Sequence, residues 1–325
     1  MLTGVLSPAN GICDYFDPLP VSTRTIAHDL AAEGYETGFF GKWHLGERDP
    51  LAPLVGDIHA RTVVPPEARG GFAHWEGFES GFLLNDPWLH GSGLGEPRQF
   101  FGYQSDVLVD RAICWWKQTN SPRFAVVSLE SPHPPYAAEV PPGIERLNPT
   151  DLKLRPNVPD DAMVRQRARV ELGGYYAHIA ATDRAIGRLV DAVGAQTIVV
   201  VTSVHGDMHG SHGLFRKGWP YEESVRIPLV VRAAPGEGGQ QISRDPVSLV
   251  DLPSMAKSWV RGQPWRCERD RAPISMPSVV ALPDQCDRAW VGWRSPTRKE
   301  VCLPDGTPWL AFDLSADPHE CVNRG

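Results

Sequence analysis

Residues 197–232 read TIVVVTSVHGDMHGSHGLFRKGWPYEESVRIPLVVR. The β-branched run from Ile198 to Val201 predicts a buried strand, and a second apolar run from Ile227 to Val231 predicts a return to the core. Between them lies a polar loop holding His205, Asp207, His209 and His212, followed by Arg216 and Lys217. In open α/β sheets, ligand sites lie beyond the carboxyl ends of strands. A loop with this stock of imidazole, carboxylate and ammonium groups suits a metal, an oxyanion or both. A single histidine here would read as structural, but the cluster at a strand end reads as a site.

The flanking chain alternates helices and strands. STRTIAHDLAAE (22–33) predicts a helix capped by Ser22 or Thr23, with Ile26, Ala27, Leu30 and Ala31 inward and Gly34 at its end. YETGFF (35–40) predicts a short strand that runs into GKWHLG at 41–46. Residues 47–101 have no clean period and predict a long irregular segment, able to wall a substrate pocket. A helix at 104–118, a buried strand at 123–129, an excursion loop at 137–165 and a long helix at 171–193 follow. On that last helix Ile179, Ile186, Leu189, Val190 and Val193 share a face. VSLVDLPSMAKSW predicts one more helix, 262–287 an irregular stretch, and 288–314 a small antiparallel sheet. The fold class is therefore α/β, a mixed and mainly parallel sheet flanked by helices. The expected domains are 1–260 and a small C-terminal subdomain at 261–325.

Composition narrows the function classes. The chain has 325 residues, 42% hydrophobic and 22% charged, ordinary for a globular protein with a sizeable core. A net charge of −7 argues against a nucleic-acid partner. No apolar run is long enough to span a membrane. The opening MLTGVLSPANG carries no signal-peptide pattern, so the expectation is a soluble protein of cytoplasm or periplasm. The six cysteines are scattered without CxxC spacing and read as thiols, with a C-terminal disulfide left open.

Three further stations carry chemistry. Lys42 and His44 stand two apart, so an extended backbone would turn both to one side and Trp43 to the other. Taken alone they also read as a surface lysine and a satisfied histidine. His133, in SPHPPY, follows a strand end between prolines that stiffen the backbone. Glu222, Glu223 and Arg226 read as an ion-pair patch under the loop, and His209 and His212 as loop-stabilising or rim residues.

Several of these segments resemble the sulfatases of the alkaline-phosphatase superfamily. HGDMxGxHGLxxKGxxYEExVRxPLxxR at 205–232 is similar to their C-terminal active-site segment, and GYETGFFGKWHLG at 34–46 to a sulfatase signature. LAFDLSADPHECVN at 310–323 resembles the family's closing strand and turn. The likeness touches roughly 1–46, 71–136, 171–255 and 308–323. It implies an alkaline-phosphatase-like sandwich and hydrolysis of a small-molecule sulfate ester. It implies that Lys42 binds a sulfate oxygen and that His44 orients the nucleophile's hydroxyl. His133 would contact sulfate or help the leaving group depart. Lys217 would contact sulfate near the leaving oxygen, and His205 would face the metal.

The resemblance also implies a divalent cation, usually Ca²⁺, and a formylglycine nucleophile made from a C/S-x-P-x-R motif. Residues 1–325 contain no such motif and no paired Asp before it. In the family S-x-L-T-G follows the nucleophile, so MLTG at 1–4 places Met1 just after it, an N-terminal truncation. Cys13 lacks the Pro and Arg context. The family's TS-D-H/N-G reads TSVHG here, with Val204 at the metal-ligand Asp position. Three readings follow. One is a sulfatase completed by upstream sequence, with residues 1–325 alone inactive. Another is a non-catalytic or decayed relative that still binds an oxyanion. The last is a phosphate or phosphonate ester hydrolase of the same superfamily.

Overall fold

The computed structural model describes residues 1–118, 120–233, 241–280 and 282–325. The connection at 234–240, inside the expected stretch of likeness, lies outside the described residues. Contacts divide the chain into two units: Phe16–Leu152 with Arg169–Thr197, and Met1–Tyr15 with Lys153–Ala168 and Ile198–Gly325. Among the described residues no helix is long and apolar enough to cross a membrane.

The first unit opens with α1 (Ile26–Ala32). Its cap is Thr25, not Ser22 or Thr23: the Thr25 hydroxyl accepts the Ala27 N–H at 3.2 Å. Ile26, Ala27 and Leu30 are buried as the spacing predicts, while Ala31 is exposed. β1 (Glu36–Lys42) follows, then α2 (Asp57–Ala60), β2 (His74–Phe78), β3 (Trp88–Gly91), β4 (Gly95–Gln99), α3 (Gln104–Trp116), β5 (Arg123–Ser128) and, from Arg169 on, α4 (Ala162–Val193). The sheet order is β4-β3-β2-β1-β5. β1 runs parallel to both β2 and β5, and β3 and β4 are antiparallel additions.

Two expectations change here. The stretch 47–101 is not wholly irregular: it supplies three strands and a helical turn. β2 shows no alternation because Trp75, Glu76 and Phe78 are all buried, as befits a strand covered on both faces. α4 begins at Ala162 rather than near 171, and its buried stripe is Ala177, His178, Ala181 and Ala185. Ile179 is 37% exposed. Small alanines allow close approach and build most of the buried stripe, while Leu189 of the expected aliphatic face packs against Phe40, Ala112 and Trp115.

β1 is sandwiched. Phe39 meets Trp43 edge-on at 4.9 Å and stacks on Trp75 at 5.9 Å, while Phe40 packs with Ala112 and Trp115 of α3. Gly41 sits between strands with φ +107, and a Cβ there would lie 2.2 Å from the Ser128 carbonyl oxygen. Gly41→Ala is therefore expected to cost at least about 2–3 kcal/mol through overpacking and backbone strain, read as a lower denaturation midpoint.

The second unit holds β6 (Val199–Thr202), α5 (Glu222–Val225), β7 (Leu229–Arg232), α6 (Leu252–Val260), β8 (Ala272–Met276), β9 (Trp290–Arg294), β10 (Arg298–Cys302) and β11 (Pro308–Asp313). β11-β10-β9-β8 form the antiparallel C-terminal sheet, over a core of Trp290, Val301, Leu310 and Phe312. β8 lies in a stretch expected to be irregular. β6 pairs antiparallel with β7, but neither strand is buried: Val230 is 61% exposed and the β6 residues are half-buried. The return of Ile227–Val231 to a core is thus corrected. A two-stranded ribbon leaves one face of each strand uncovered. None of the six cysteines forms a disulfide.

Candidate oxyanion site

The carboxyl ends of β1, β2 and β5 lie side by side, with Lys42 paired in register to Phe78 and Gly41 to Ser128. Residues just beyond those ends therefore gather at one sheet edge, the usual place for a ligand in such sheets. Lys42 closes β1, its side chain 14% exposed. Its Nζ donates to Glu130 Oε1 at 2.6 Å, and Glu130 stands just past β5. The carboxylate is fixed in turn by Gln104, whose Nε2 donates to Glu130 Oε2 at 3.1 Å and whose Oε1 accepts the Glu130 N–H.

The Phe82 ring lies beyond β2. Lys42 Nζ sits 4.4 Å from its centroid, and the His133 imidazole stacks on it at 4.6 Å with 19° between planes. The structure thus brings Lys42 and His133 to one aromatic ring. His133 Nδ1 lies 2.9 Å from the Pro134 carbonyl, so Nδ1 carries a proton and exchange falls to Nε2.

His44 departs from the expected geometry. Its φ is +58, so the strand's alternation ends at Trp43 and does not set the direction of the His44 side chain. The turn is stapled to Glu79 instead. His44 N–H donates to the Glu79 carbonyl at 3.0 Å, and Gly46 N–H to Glu79 Oε2 at 2.9 Å. Arg48 pairs with Glu79 Oε1 at 3.3 Å, both side chains buried. Burial pushes the Glu79 carboxyl up to about 7, with the Gly46 N–H and Arg48 offsetting only part of that cost.

Beneath the SPHPPY loop is a buried polar network. Tyr103 Oη lies 2.6 Å from Ser131 Oγ and 2.9 Å from His178 Nδ1. Burial, then the Arg146 charge, lowers His178 from 6.5 to about 4. Burial and Arg69 lower His90 likewise to about 4. Unfolded, both imidazoles take protons near 6.5 that the folded state refuses. Their contribution to stability is present above pH 6.5 and is lost as pH falls toward about 4. The expected result is a melting temperature that falls across that window, less steeply in His178→Gln.

In the other unit, the loop after β6 carries His205 and Lys217. His205 Nδ1 lies 2.8 Å from the Gly206 carbonyl, so Nε2 is the lone-pair nitrogen. Lys217 is half-buried. Asp207 serves the loop itself: its Oδ1 accepts the His209 N–H at 3.1 Å and the Arg216 N–H at 3.0 Å. His209, His212 and Arg216 all have positive φ, so the loop is tightly folded. His212 stacks on Tyr221 at 4.1 Å, consistent with a loop-stabilising role.

This loop does not fit a hard-cation site. The Val204 side chain offers no oxygen, with the residue 63% exposed, and Asp207 is engaged with backbone N–H groups. One imidazole is no substitute for six to eight oxygen ligands. Among the described residues no three His, Cys, Asp or Glu side chains gather as a metal site.

Glu130 and Phe82 were not singled out by sequence reasoning. A carboxylate closing an apolar strand three residues before His133 was the available signal for Glu130. Phe82 had none, sitting in a stretch without period.

The sulfatase family model matches residues 1–262. An ulvan-active sulfatase of Formosa agariphila is 34% identical over 225 residues, 66% of this chain. The chain spans about half the length, or less, of such curated relatives, 42% for the Formosa protein. The crystal structure of a candidate sulfatase from Bacteroides fragilis has a TM-score of 0.79 at 23% identity, covering 99% of this chain and 79% of that one. A phosphonate monoester hydrolase of Agrobacterium radiobacter has a TM-score of 0.72 at 19% identity, covering 99% and 80%. Both likenesses establish the alkaline-phosphatase-like fold. The family model, covering most of the chain, and the Formosa relative settle the kinship: the chain belongs to the sulfatase family of the alkaline-phosphatase superfamily.

Proposed function

We propose that this chain recognises the sulfate group of a sulfate ester, with Lys42 and His133 as the oxyanion-facing pair. The observation that carries this reading is the Lys42 ammonium held between the Glu130 carboxylate and the Phe82 ring, with His133 on that same ring. An ammonium has three N–H donors. One goes to Glu130 and one direction is covered by the ring, which leaves a donor for a sulfate oxygen. When doubly protonated, His133 can donate from Nε2 to a second oxygen or pass that proton to a departing alkoxide. His44, on the stapled turn, is assigned to orient the attacking group. Lys217 keeps the role the resemblance implies for it, a contact to sulfate near the leaving oxygen, where a fixed ammonium would neutralise developing charge. No step is assigned to a metal, because the loop of Val204 and Asp207 does not offer its ligands. His205 Nε2 is the atom a metal would meet.

Residues 1–325 hold no C/S-x-P-x-R nucleophile motif. The purified chain is therefore expected to bind 4-nitrophenyl sulfate without releasing nitrophenol. Calorimetric titration with 4-nitrophenyl sulfate, 4-nitrophenyl phosphate and 4-nitrophenol tests the reading. Sulfate ester binding that exceeds the other two supports it. Tighter binding of the phosphate ester would favour the phosphate or phosphonate reading, and equal binding of the phenol would remove the oxyanion.

A further inference from the structure

We propose that Phe82 is a positioning residue of the oxyanion site, setting the place of the Lys42 ammonium and the plane of the His133 imidazole. The proposal rests on the sulfate reading above. Phe82 has φ +56, a left-handed backbone that a bulky side chain rarely adopts. Such a conformation persists where the surroundings over-determine it, and it clusters at functional sites. Core packing does not account for the ring, which is only half-buried. What the ring does contact is Lys42 Nζ at 4.4 Å and the His133 imidazole at 4.6 Å.

The two partners of Lys42 act differently. The Glu130 carboxylate, 2.6 Å away, fixes the ammonium but opposes the field an anion would feel. The aromatic quadrupole attracts the ammonium without cancelling its charge. A ring can therefore place the cation and leave it able to draw an oxyanion. The same ring, nearly parallel to His133, fixes the imidazole plane while the Pro134 carbonyl fixes its tautomer. Phe82 thereby couples two groups that approach from β1 and from the loop after β5.

The test compares Phe82→Gly and Phe82→Trp with the unmodified chain. Glycine relieves the backbone strain and removes the ring, whereas tryptophan restores an aromatic face. Two readouts are taken: affinity for inorganic sulfate, and the NMR signals of the His133 ring protons, which lie in the Phe82 ring current. Phe82→Gly is expected to keep or raise the melting temperature, to weaken sulfate binding about tenfold, and to move the His133 signals. Phe82→Trp is expected to retain binding and a ring-shifted His133. If Phe82→Gly binds sulfate as the unmodified chain does, or its His133 signals stay in place, the positioning role is overturned. If the unmodified chain binds no sulfate, the sulfate reading falls, and the His133 signals alone decide whether the ring holds the imidazole.

Discussion

Lys299→Ala is expected to destabilise the chain by about 3–5 kcal/mol, the range for removing one partner of a buried ion pair. The Lys299 side chain is fully buried at 0% exposure, and its Nζ lies 2.8 Å from Glu222 and 2.5 Å from Glu320. A third contact runs to the Pro220 carbonyl at 3.0 Å. Glu222 is shared further with Arg294 at 3.1 Å. Burial alone would raise the Glu222 carboxyl, but the Lys299 and Arg294 charges outweigh it and hold the group below its usual range. Truncating Lys299 takes the cation away from buried Glu320 and leaves Glu222 to Arg294. The double change Lys299→Met with Glu320→Gln should recover part of the loss. It removes one buried charge of each sign, and the glutamine oxygen still accepts the Glu222 N–H that Glu320 accepts at 2.7 Å. Urea denaturation of the single and double variants measures both effects. A Lys299→Ala midpoint equal to that of the unmodified chain would show that water reaches the cluster.

Lys42→Ala is expected to weaken binding of inorganic sulfate by roughly 10- to 100-fold, the worth of a hydrogen bond to a charged group. The exposed Lys117→Ala serves as a control and should change binding little, because isolated surface charges contribute little. Lys42→Arg should not restore affinity. The planar guanidinium is larger and prefers a bidentate partner, and Glu130 with Gln104 already occupies that geometry. Titration calorimetry at fixed ionic strength reads all three. Undiminished binding in Lys42→Ala would move the oxyanion away from the end of β1.

Much of the fold was legible because local physics decided it. β1, α3 and three of the four strands of the C-terminal sheet are strong enough to be read in isolation. β2 was not, because a strand covered on both faces loses its alternation. α4 was misplaced because its packing face is built from alanines, which carry little hydrophobic signal. At the proposed site, Lys42 and His133 stand out in their motifs, but their relation to each other does not. That relation depends on Phe82, contributed by a turn after β2 and held in a backbone conformation no propensity suggests. Glu79 was hidden for a similar reason, since its partners Gly46 and Arg48 lie more than thirty residues earlier. Val204 was visible at once. The structure adds that Asp207 is already bonded to backbone N–H groups and does not supply the carboxylate the resemblance expects at 204.

We propose that Lys42 and His133 hold sulfate without help from a metal. Sulfate titration of purified residues 1–325, run once with EDTA and once with excess Ca²⁺, tests it most directly. The expected result is the same sulfate affinity in both, with no release of nitrophenol from 4-nitrophenyl sulfate in either. Sulfate binding that appears only with Ca²⁺, or metal-dependent hydrolysis, would contradict it.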